Sequence, residues 1–453
     1  MAMVLQGDFT GMRAIKVVEI EISEPFCPME NIRTEEGYRY SEALIVARIH
    51  GFPIGEFYTE LPERGLTAAE VAAVVWAECH NKINEHLKRD VLPGLDALSA
   101  TGLENNTTPL CIQERLRALQ SNQLPQVSVV IPTRDRPEPL ERCLNSLLTV
   151  EYSPFEIIVV DNAPTDDGVQ KLVSQYGHKV RYVREDRPGT AYARNTGVEE
   201  ALGEIVVGID DDVIVDKYWL LELVRGFDVA EHVACVNSLV LPAELETEEQ
   251  IWFEEFGGFG RGMDLQVYDL EENHPDTVFF PYSMGIAGTG ASRAITKSAW
   301  LEIGGADPAL GPGSYTRNGE DLDVFFRLIK HGYKIVYQPA SIAYHRHRRQ
   351  YSRLLKQIHN YGIGFSAYIT KNLLAYPKDI PGFLLRMPYG MLLMVLPGSK
   401  HNRKKSTTYP KELTSLELLG MLQGPWMYLI SKWHVRHDNM KLDKFHYLHA
   451  QEG

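Results

Sequence analysis

Hydrophobic positions follow three different rhythms along the chain. Alternation over Ile15–Ile22 predicts a strand, the nearly unbroken run Ala43–Ile49 a buried one, and Phe57–Leu61 a third. With Gly51-Phe52-Pro53-Ile54-Gly55 read as the turn, the last two form a hairpin. Thr67-Ala-Ala-Glu70 has the spacing of a capping box and opens a helix with Val71, Val74, Val75, Cys79, Ile83 and Leu87 on one broad face. Residues 14–95 therefore read as a small β-β-β-α module with no polar constellation, expected to be an accessory or interaction module. Residues 1–13 are expected to be a flexible N-terminus. Residues 96–126 read as a linker with a short helical segment at Ile112–Leu119.

From Val127 the rhythm changes. Val127–Ile131, Glu156–Val160, Val180–Val183 and Ile205–Ile209 are continuous apolar runs, separated by helical patterns at Pro139–Leu148, Gly168–Tyr176 and Ala191–Ala201. Short apolar runs alternating with helices predict an α/β domain with a mostly parallel, Rossmann-like sheet covered on both faces. This domain is expected to span 127–347. Residues 348–453 read as a basic helical extension. In such sheets ligands bind beyond the carboxyl ends of the strands, so the polar residues that matter are those just after each run.

Composition narrows the class. Of 453 residues 44% are apolar and 23% charged, which suits a globular chain and excludes disordered or disulfide-rich scaffolds. The five cysteines are scattered without metal-ligand spacing and read as reduced cytosolic thiols. The N-terminus lacks the order of a secretory signal, and no run is long enough to span a bilayer, so a cytoplasmic location is expected. The net charge of −14 is unevenly spread: residues 331–453 carry 18 Lys/Arg against 6 Asp/Glu. A basic third on an acidic body fits a contact with an anionic surface such as the inner membrane face, or a solvated face docked on the body. It contains no nucleic-acid-binding module.

The strand ends carry the candidate chemistry. Pro132-Thr133-Arg134-Asp135-Arg136 follows the first run and Asp161-Asn162 the second. Arg184 to Gly189 follows the third and leads to Arg194-Asn195, and Asp210-Asp211-Asp212 follows the fourth. Adjacent carboxylates repel unless a cation sits among them, and Mg²⁺ or Mn²⁺ takes one or two carboxylates together with ligand phosphates. The alternative for these acids is a solvated loop capping the next helix.

In their order, the segments 127–136, 156–163, 188–197 and 209–212, with Gly304-Gly305-Ala306-Asp307 and Asn-Gly-Glu-Asp-Leu-Asp (318–323), resemble the family 2 glycosyltransferases of GT-A type. The resemblance covers about half of the chain. It implies an inverting transfer from a nucleoside-diphosphate sugar, a uridine diphosphate sugar being favoured, to an acceptor hydroxyl. Pro132, Thr133 and Arg134 match the loop holding nucleoside and diphosphate, and Asp161 the acid at the base. Asp211 falls near the ribose, while Asp210 and Asp212 match the two acids of the metal-binding D-x-D. Arg194 and Asn195 match a segment that either touches donor or braces the sheet. Asp321 matches the general base, with Glu320 beside it on the acceptor side; without the family, Asp321 reads equally as a helix cap. A histidine after Ile342–Tyr344 completes the metal shell in many relatives, His345 being the better placed and His347 the alternative.

Two stretches remain open. Glu244–Asp276, with Trp252 among its aromatics and acids, is either an acceptor-facing lid or a loop packed down on the domain. The apolar run 381–397, followed by Lys400, Arg403, Lys404 and Lys405, suits a membrane interface, a helix packed on the core, or a contact between copies of the chain. The closing stretch, Tyr409 to Ile430, resembles the tails of bacterial family members. A nucleotidyltransferase using the same acids and a non-catalytic nucleotide-sugar-binding module are the competing functions. The first would not need Asp321, and the second would need neither Asp321 nor the metal acids.

Overall fold

The computed structural model describes residues 13–449 except 35–36, 104–106, 122, 397 and 400–401. Most of the stretch expected to be a flexible N-terminus, and Lys400, lie outside the described residues. The chain divides into two compact units. One comprises Met1–Gln123, Leu241–Asp264 and Arg346–Tyr351; the other comprises Leu124–Val240, Leu265–His345 and Ser352–Gly453. Two segments read as parts of the α/β domain or its extension thus group with the N-terminal residues.

In the first unit β1 (Ile15–Glu21) pairs parallel with β2 (Glu42–Ile49), which pairs antiparallel with β3 (Phe52–Glu60). The hairpin turn is tighter than the sequence reading placed it. Ile49 pairs directly with Phe52, leaving His50 (φ 54°) and Gly51 (φ 79°) as the two left-handed positions of a two-residue turn. Pro53 is tolerated because β3 is an edge strand. Helix α1 (Ala68–Arg89) opens on the expected capping box: Thr67 Oγ1 accepts from the Glu70 amide, and the Glu70 carboxylate accepts from the Thr67 amide. Its buried face, Val71, Val75, Cys79, Ile83 and Leu87, shares one core with Ile45, Ala47 and Ile49 of β2. Helix α2 is Leu110–Leu119.

The second unit is built on a nine-stranded sheet. Its elements begin with β4 (Val127–Thr133), α3 (Pro137–Leu147), β5 (Phe155–Asn162), α4 (Gly168–Ser174), β6 (Val180–Glu185) and α5 (Thr190–Glu200). They continue with β7 (Ile205–Ile209), β8 (Val213–Val215), α6 (Trp219–Arg225) and β9 (Val233–Pro242). After α7 (Glu248–Phe256), which belongs to the first unit, come β10 (Gln266–Tyr268), β11 (Ser292–Thr296), α8 (Lys297–Glu302), α9 (Glu320–Lys330) and β12 (Lys334–His345). Helices α10 (Tyr351–Ala375), α11 (Ile380–Val395) and α12 (Lys411–His449) close the chain.

The strand order is β10-β12-β9-β11-β7-β4-β5-β6, with β8 on β12. Strands β7, β4, β5 and β6 are mutually parallel, the half that the alternating runs and helices predict. Strand β11 pairs antiparallel with β7 and β9, and β12 antiparallel with β8 and β10, which extends the sheet beyond that half. Because β4, β5, β6 and β7 run the same way, their carboxyl ends share one edge. Register sets Thr133 beside Asp161, and Asp161 beside Arg184. Small residues let α5 lie close on the sheet: a Cβ at Gly197 would sit 2.2 Å from a Val130 methyl.

The extension is part of this unit. Asp323 on α9 is fully buried and binds Lys371 (2.5 Å) and Asn372 (2.9 Å) of α10, with Arg327 at 2.8 Å. Helix α12 crosses α10 at glycines, where a Cβ on Gly420 or Gly424 would lie 2.3 Å from the carbonyl of His359 or Ile363. These contacts seat α10 and α12 behind the turn that carries Glu320 and Asp321.

Candidate active site

The three aspartates after β7 lie on the carboxyl edge, and each is met by a cation of the chain itself. Arg136, just after β4, bridges Asp211 Oδ1 (2.5 Å) and Asp212 Oδ2 (2.8 Å). Thr133 donates to the other Asp211 oxygen at 2.7 Å. Arg194, buried in α5, donates to Asp210 Oδ1 at 2.9 Å and lies 3.0 Å from Glu320 Oε1. His345, the last residue of β12, places Nε2 3.3 Å from Asp212 Oδ1. Two arginines offset much of the repulsion among the three acids. Arg136, in the first-strand loop but not singled out from the sequence, is the residue that changes this picture.

The charges respond to these neighbours. Burial alone would raise the Asp212 carboxyl, but His345 and Arg136 outweigh it and hold the group far below the ordinary carboxylate range. Burial pushes Asp211 up, with Asp212 adding to the rise against the pull of Arg136. Asp210 is also raised by burial, although Arg194 opposes it. Of the three, Asp212 is the one whose neighbours pull its carboxyl below the ordinary range.

A divalent ion can still be accommodated. Adjacent ligands of Mg²⁺ at about 2.0–2.1 Å lie roughly 3 Å apart, and Asp212 Oδ1 and His345 Nε2 stand at 3.3 Å. Asp211 has both oxygens committed, to Arg136 and Thr133. Asp210 is more open, with its side chain 37% exposed and Arg194 on Oδ1. The residues that fit an ion are Asp212 and His345, with Asp210 beside them. His347, the alternative, instead binds Glu254 at 2.6 Å within the first unit.

The remaining expected residues divide. Pro132 and Thr133 are buried, while Arg134 is exposed beside Asp135 (3.7 Å). Asp161 is buried at the end of β5; Tyr182 donates to its Oδ2 at 2.9 Å, and its buried Oδ1 has no partner. Such an orphaned acceptor suits a ligand N–H. Asn195 makes a two-way bond with the Ala306 backbone (2.9 Å each way), which joins α5 to the Gly304–Asp307 turn and gives it a bracing role.

Asp321 lies in the first turn of α9 and accepts from the Gly290 amide at 2.9 Å. Gly290 must lack a side chain: a Cβ there would fall 2.9 Å from Asp321 Cβ and 3.2 Å from Arg194 Nη1. Arg194 also donates to the Gly290 carbonyl at 3.3 Å. One arginine and one glycine thereby join Asp210 to Asp321, 111 positions apart in sequence. Glu320, expected on the acceptor side, is buried instead. Its Oε1 faces Arg194 (3.0 Å) and Arg293 (3.2 Å), so its charge is spent inside the domain. Trp252 lies on α7 in the first unit, edge-on to Tyr351 at 5.8 Å, and its neighbour Phe253 is buried against His347 and Phe259.

Fold and edge together define an α/β domain with an acidic, arginine-braced site at a strand switch. Residues 128–282 match the family described as Glycosyl transferase family 2. Over that segment, about a third of the chain, the sequence is similar to family 2 glycosyltransferases. It is similar to Glycosyltransferase AglE of Haloferax volcanii, 33% identical over 106 residues that cover 22% of this chain and 34% of that protein. It is also similar to a glucosyl-dolichyl phosphate glucuronosyltransferase of the same organism, 23% identical over 49% of this chain and 69% of that one. The chain thus spans only about a third of the first of these relatives. Among solved structures, a mannosyltransferase from Pyrobaculum calidifontis in complex with GDP-Man and Mn²⁺ aligns over 70% of this chain and 94% of its own, with TM-score 0.45 and 17% identity.

Beyond β6, Glu185 organises the loop into α5. It binds Arg187 at 2.7 Å and accepts from Thr196, and Gly189 donates to Asn162 at 2.8 Å. Burial would raise the Glu185 carboxyl, but the bonds from Arg187 and Thr196 win and lower it to about 2. Its charge thus contributes to stability above pH about 4.5, and that contribution is lost as pH falls toward about 2. Glu185→Gln should lower the melting temperature at pH 7, with the gap to wild type closing as pH drops through that window. Thermal unfolding followed by circular dichroism checks this; a gap constant from pH 7 to pH 3 contradicts it.

Proposed function

We propose that the chain is a metal-dependent, inverting glycosyltransferase of GT-A type that moves a sugar from a nucleoside-diphosphate sugar, a uridine diphosphate sugar being favoured, to an acceptor hydroxyl. The observation that carries the reading is the Asp210–Arg194–Gly290–Asp321 connection. It holds the candidate base in fixed relation to the acids on the strand edge. Neither a nucleotidyltransferase nor a binding module needs that coupling.

Asp161 offers its unpartnered oxygen to a base N–H, and Thr133 and Asp211 border the nucleoside side. Asp212 and His345, with Asp210, would hold Mn²⁺ or Mg²⁺, which supplies positive charge for the departing diphosphate. Arg136 and Arg194 keep the acids oriented whether or not donor is bound. Asp321 takes the acceptor hydroxyl proton as that oxygen bonds to the anomeric carbon. The bond from that carbon to the diphosphate oxygen breaks on the opposite face, so the anomeric configuration inverts. Arg134, exposed at the first-strand loop, is free to swing toward the diphosphate.

A general base contributes about 10²–10⁴-fold. Asp321→Asn should therefore bind donor as wild type does, by calorimetric titration, and lose transfer by about that factor in initial-rate assays. Transfer at the wild-type rate assigns the base elsewhere.

We also infer a peripheral contact with an anionic membrane surface. Among the described residues no helix is long and apolar enough to cross a membrane. Yet α11 leaves Leu384, Leu385 (83% exposed), Met391 and Leu392 open to solvent, with Arg403 and Lys404 exposed beyond it. The protein should sediment with phosphatidylglycerol-containing vesicles, and Leu385→Glu should release it. Sedimentation velocity showing that this substitution dissociates a dimer, with no vesicle binding by wild type, assigns the face to self-association instead.

A further inference from the structure

The first unit contains a second convergence of ligating side chains, separate from the glycosyl-transfer site. His50 stands at the tip of the β2–β3 turn, His86 and Asp90 lie one helical turn apart at the end of α1, and Cys111 opens α2. Three segments distant in sequence thus bring His50 Nδ1, His86 Nε2, Asp90 Oδ2 and Cys111 Sγ together, all within 4.8 Å of one another.

The separations are those of ligands around one ion. The two imidazole nitrogens are 3.0 Å apart. They lie 3.4 and 3.3 Å from the same Asp90 oxygen. The thiol is 2.8 Å from that oxygen and 3.8 Å from His86 Nε2. A tetrahedral zinc ion with Zn–N about 2.0–2.1 Å and Zn–S about 2.3 Å sets its ligand atoms roughly 3.3–3.6 Å apart. The observed spacings bracket that range. His50, His86 and Asp90 are 8%, 1% and 5% exposed, so these groups are withdrawn from solvent.

A hydrogen-bonded cluster is the competing explanation, with the Cys111 thiol donating to Asp90. In such a cluster the donors would be shared between the two carboxylate oxygens. Here both imidazoles and the thiol crowd Oδ2, while Oδ1 accepts from the Cys111 backbone amide at 3.2 Å. The surroundings fix the ligands' orientation. Glu21 accepts from the His50 and Gly51 amides at 2.8 Å each, and Arg115 donates to the His50 carbonyl at 3.2 Å. On the far side of the His86 ring, Nδ1 faces Arg89 at 3.4 Å, which leaves Nε2 directed at the shared point.

We propose that His50, His86, Asp90 and Cys111 form a structural site for a divalent ion of the zinc class, pinning the hairpin tip, the end of α1 and the start of α2 together. Two imidazoles, a thiolate and a carboxylate are a borderline-soft set that suits Zn²⁺, and four protein ligands leave no open position for catalysis. Coordination transfers the Cys111 thiol proton to solvent as the sulfur–metal bond forms. The scattered cysteines gave no sequence signal, because only folding brings Cys111 to the histidines.

Cobalt(II) is the probe. Full-length protein, stripped with chelator or expressed in Co²⁺-supplemented medium, should take up one equivalent showing tetrahedral ligand-field absorption with a thiolate-to-cobalt charge-transfer band. Cys111→Ser keeps a donor for Asp90 and should retain the wild-type circular dichroism while losing the charge-transfer band. Asp212→Ala should keep the band, which separates this site from the glycosyl-transfer site and leaves the outcome independent of transferase activity. Absence of the band in wild type prepared either way, or its persistence in Cys111→Ser, overturns the proposal.

Discussion

Buried charge is the constraint on which the second unit depends. Asp210, Asp211 and Asp212 share one edge, and Arg136, Arg194 and His345 reach them from the loop after β4, from α5 and from β12. Removing one partner of a buried pair costs about 3–5 kcal/mol, because the other charge is left uncompensated. The edge is therefore as much a structural element as a chemical one. Parallel strands bring the groups to one side, the arginines fix their orientation, and α10 and α12 support the α9 turn from behind.

The same constraint explains why the metal question is narrower than repulsion among three acids suggests. Arg136 and the Thr133 hydroxyl occupy both oxygens of Asp211, and Arg194 one oxygen of Asp210. What remains for an ion is the Asp212–His345 pair, where a carboxylate oxygen and an imidazole nitrogen face each other. Glu320 follows the same logic. Two arginines hold it inside the domain.

Much of this was legible in the sequence. The four parallel strands and three intervening helices show as mostly apolar runs and helical spacings, clearest for β4, β5 and β7 inside the sheet, while the edge strand β6 keeps Arg181 and Arg184 among its apolar residues. The capping box at Thr67 and Glu70 is a local motif that survives folding unchanged. The antiparallel half was less visible, since β9 and β11 are separated by a long irregular stretch whose pairing is decided by tertiary contact. Arg136 has no sequence signal of its own, because its pairing with Asp211 and Asp212 exists only once β4 and β7 lie side by side. The His50–His86–Asp90–Cys111 group was invisible for a similar reason: its ligands come from a turn and two helix ends, in no recognisable spacing. The grouping of 241–264 and 346–351 with the N-terminal residues likewise has no signature in local pattern.

The most direct test of the central claim is calorimetric titration of uridine, thymidine and guanosine diphosphates into wild-type protein and Asp212→Ala, with Mn²⁺ and with chelator. If Asp212 and His345 hold an ion that meets the diphosphate, one nucleotide binds wild type with Mn²⁺ at least about tenfold more tightly than with chelator, a coupling of about 1.4 kcal/mol, and Asp212→Ala abolishes that difference. Equal affinity with and without Mn²⁺ in wild type, or unaltered coupling in Asp212→Ala, contradicts it.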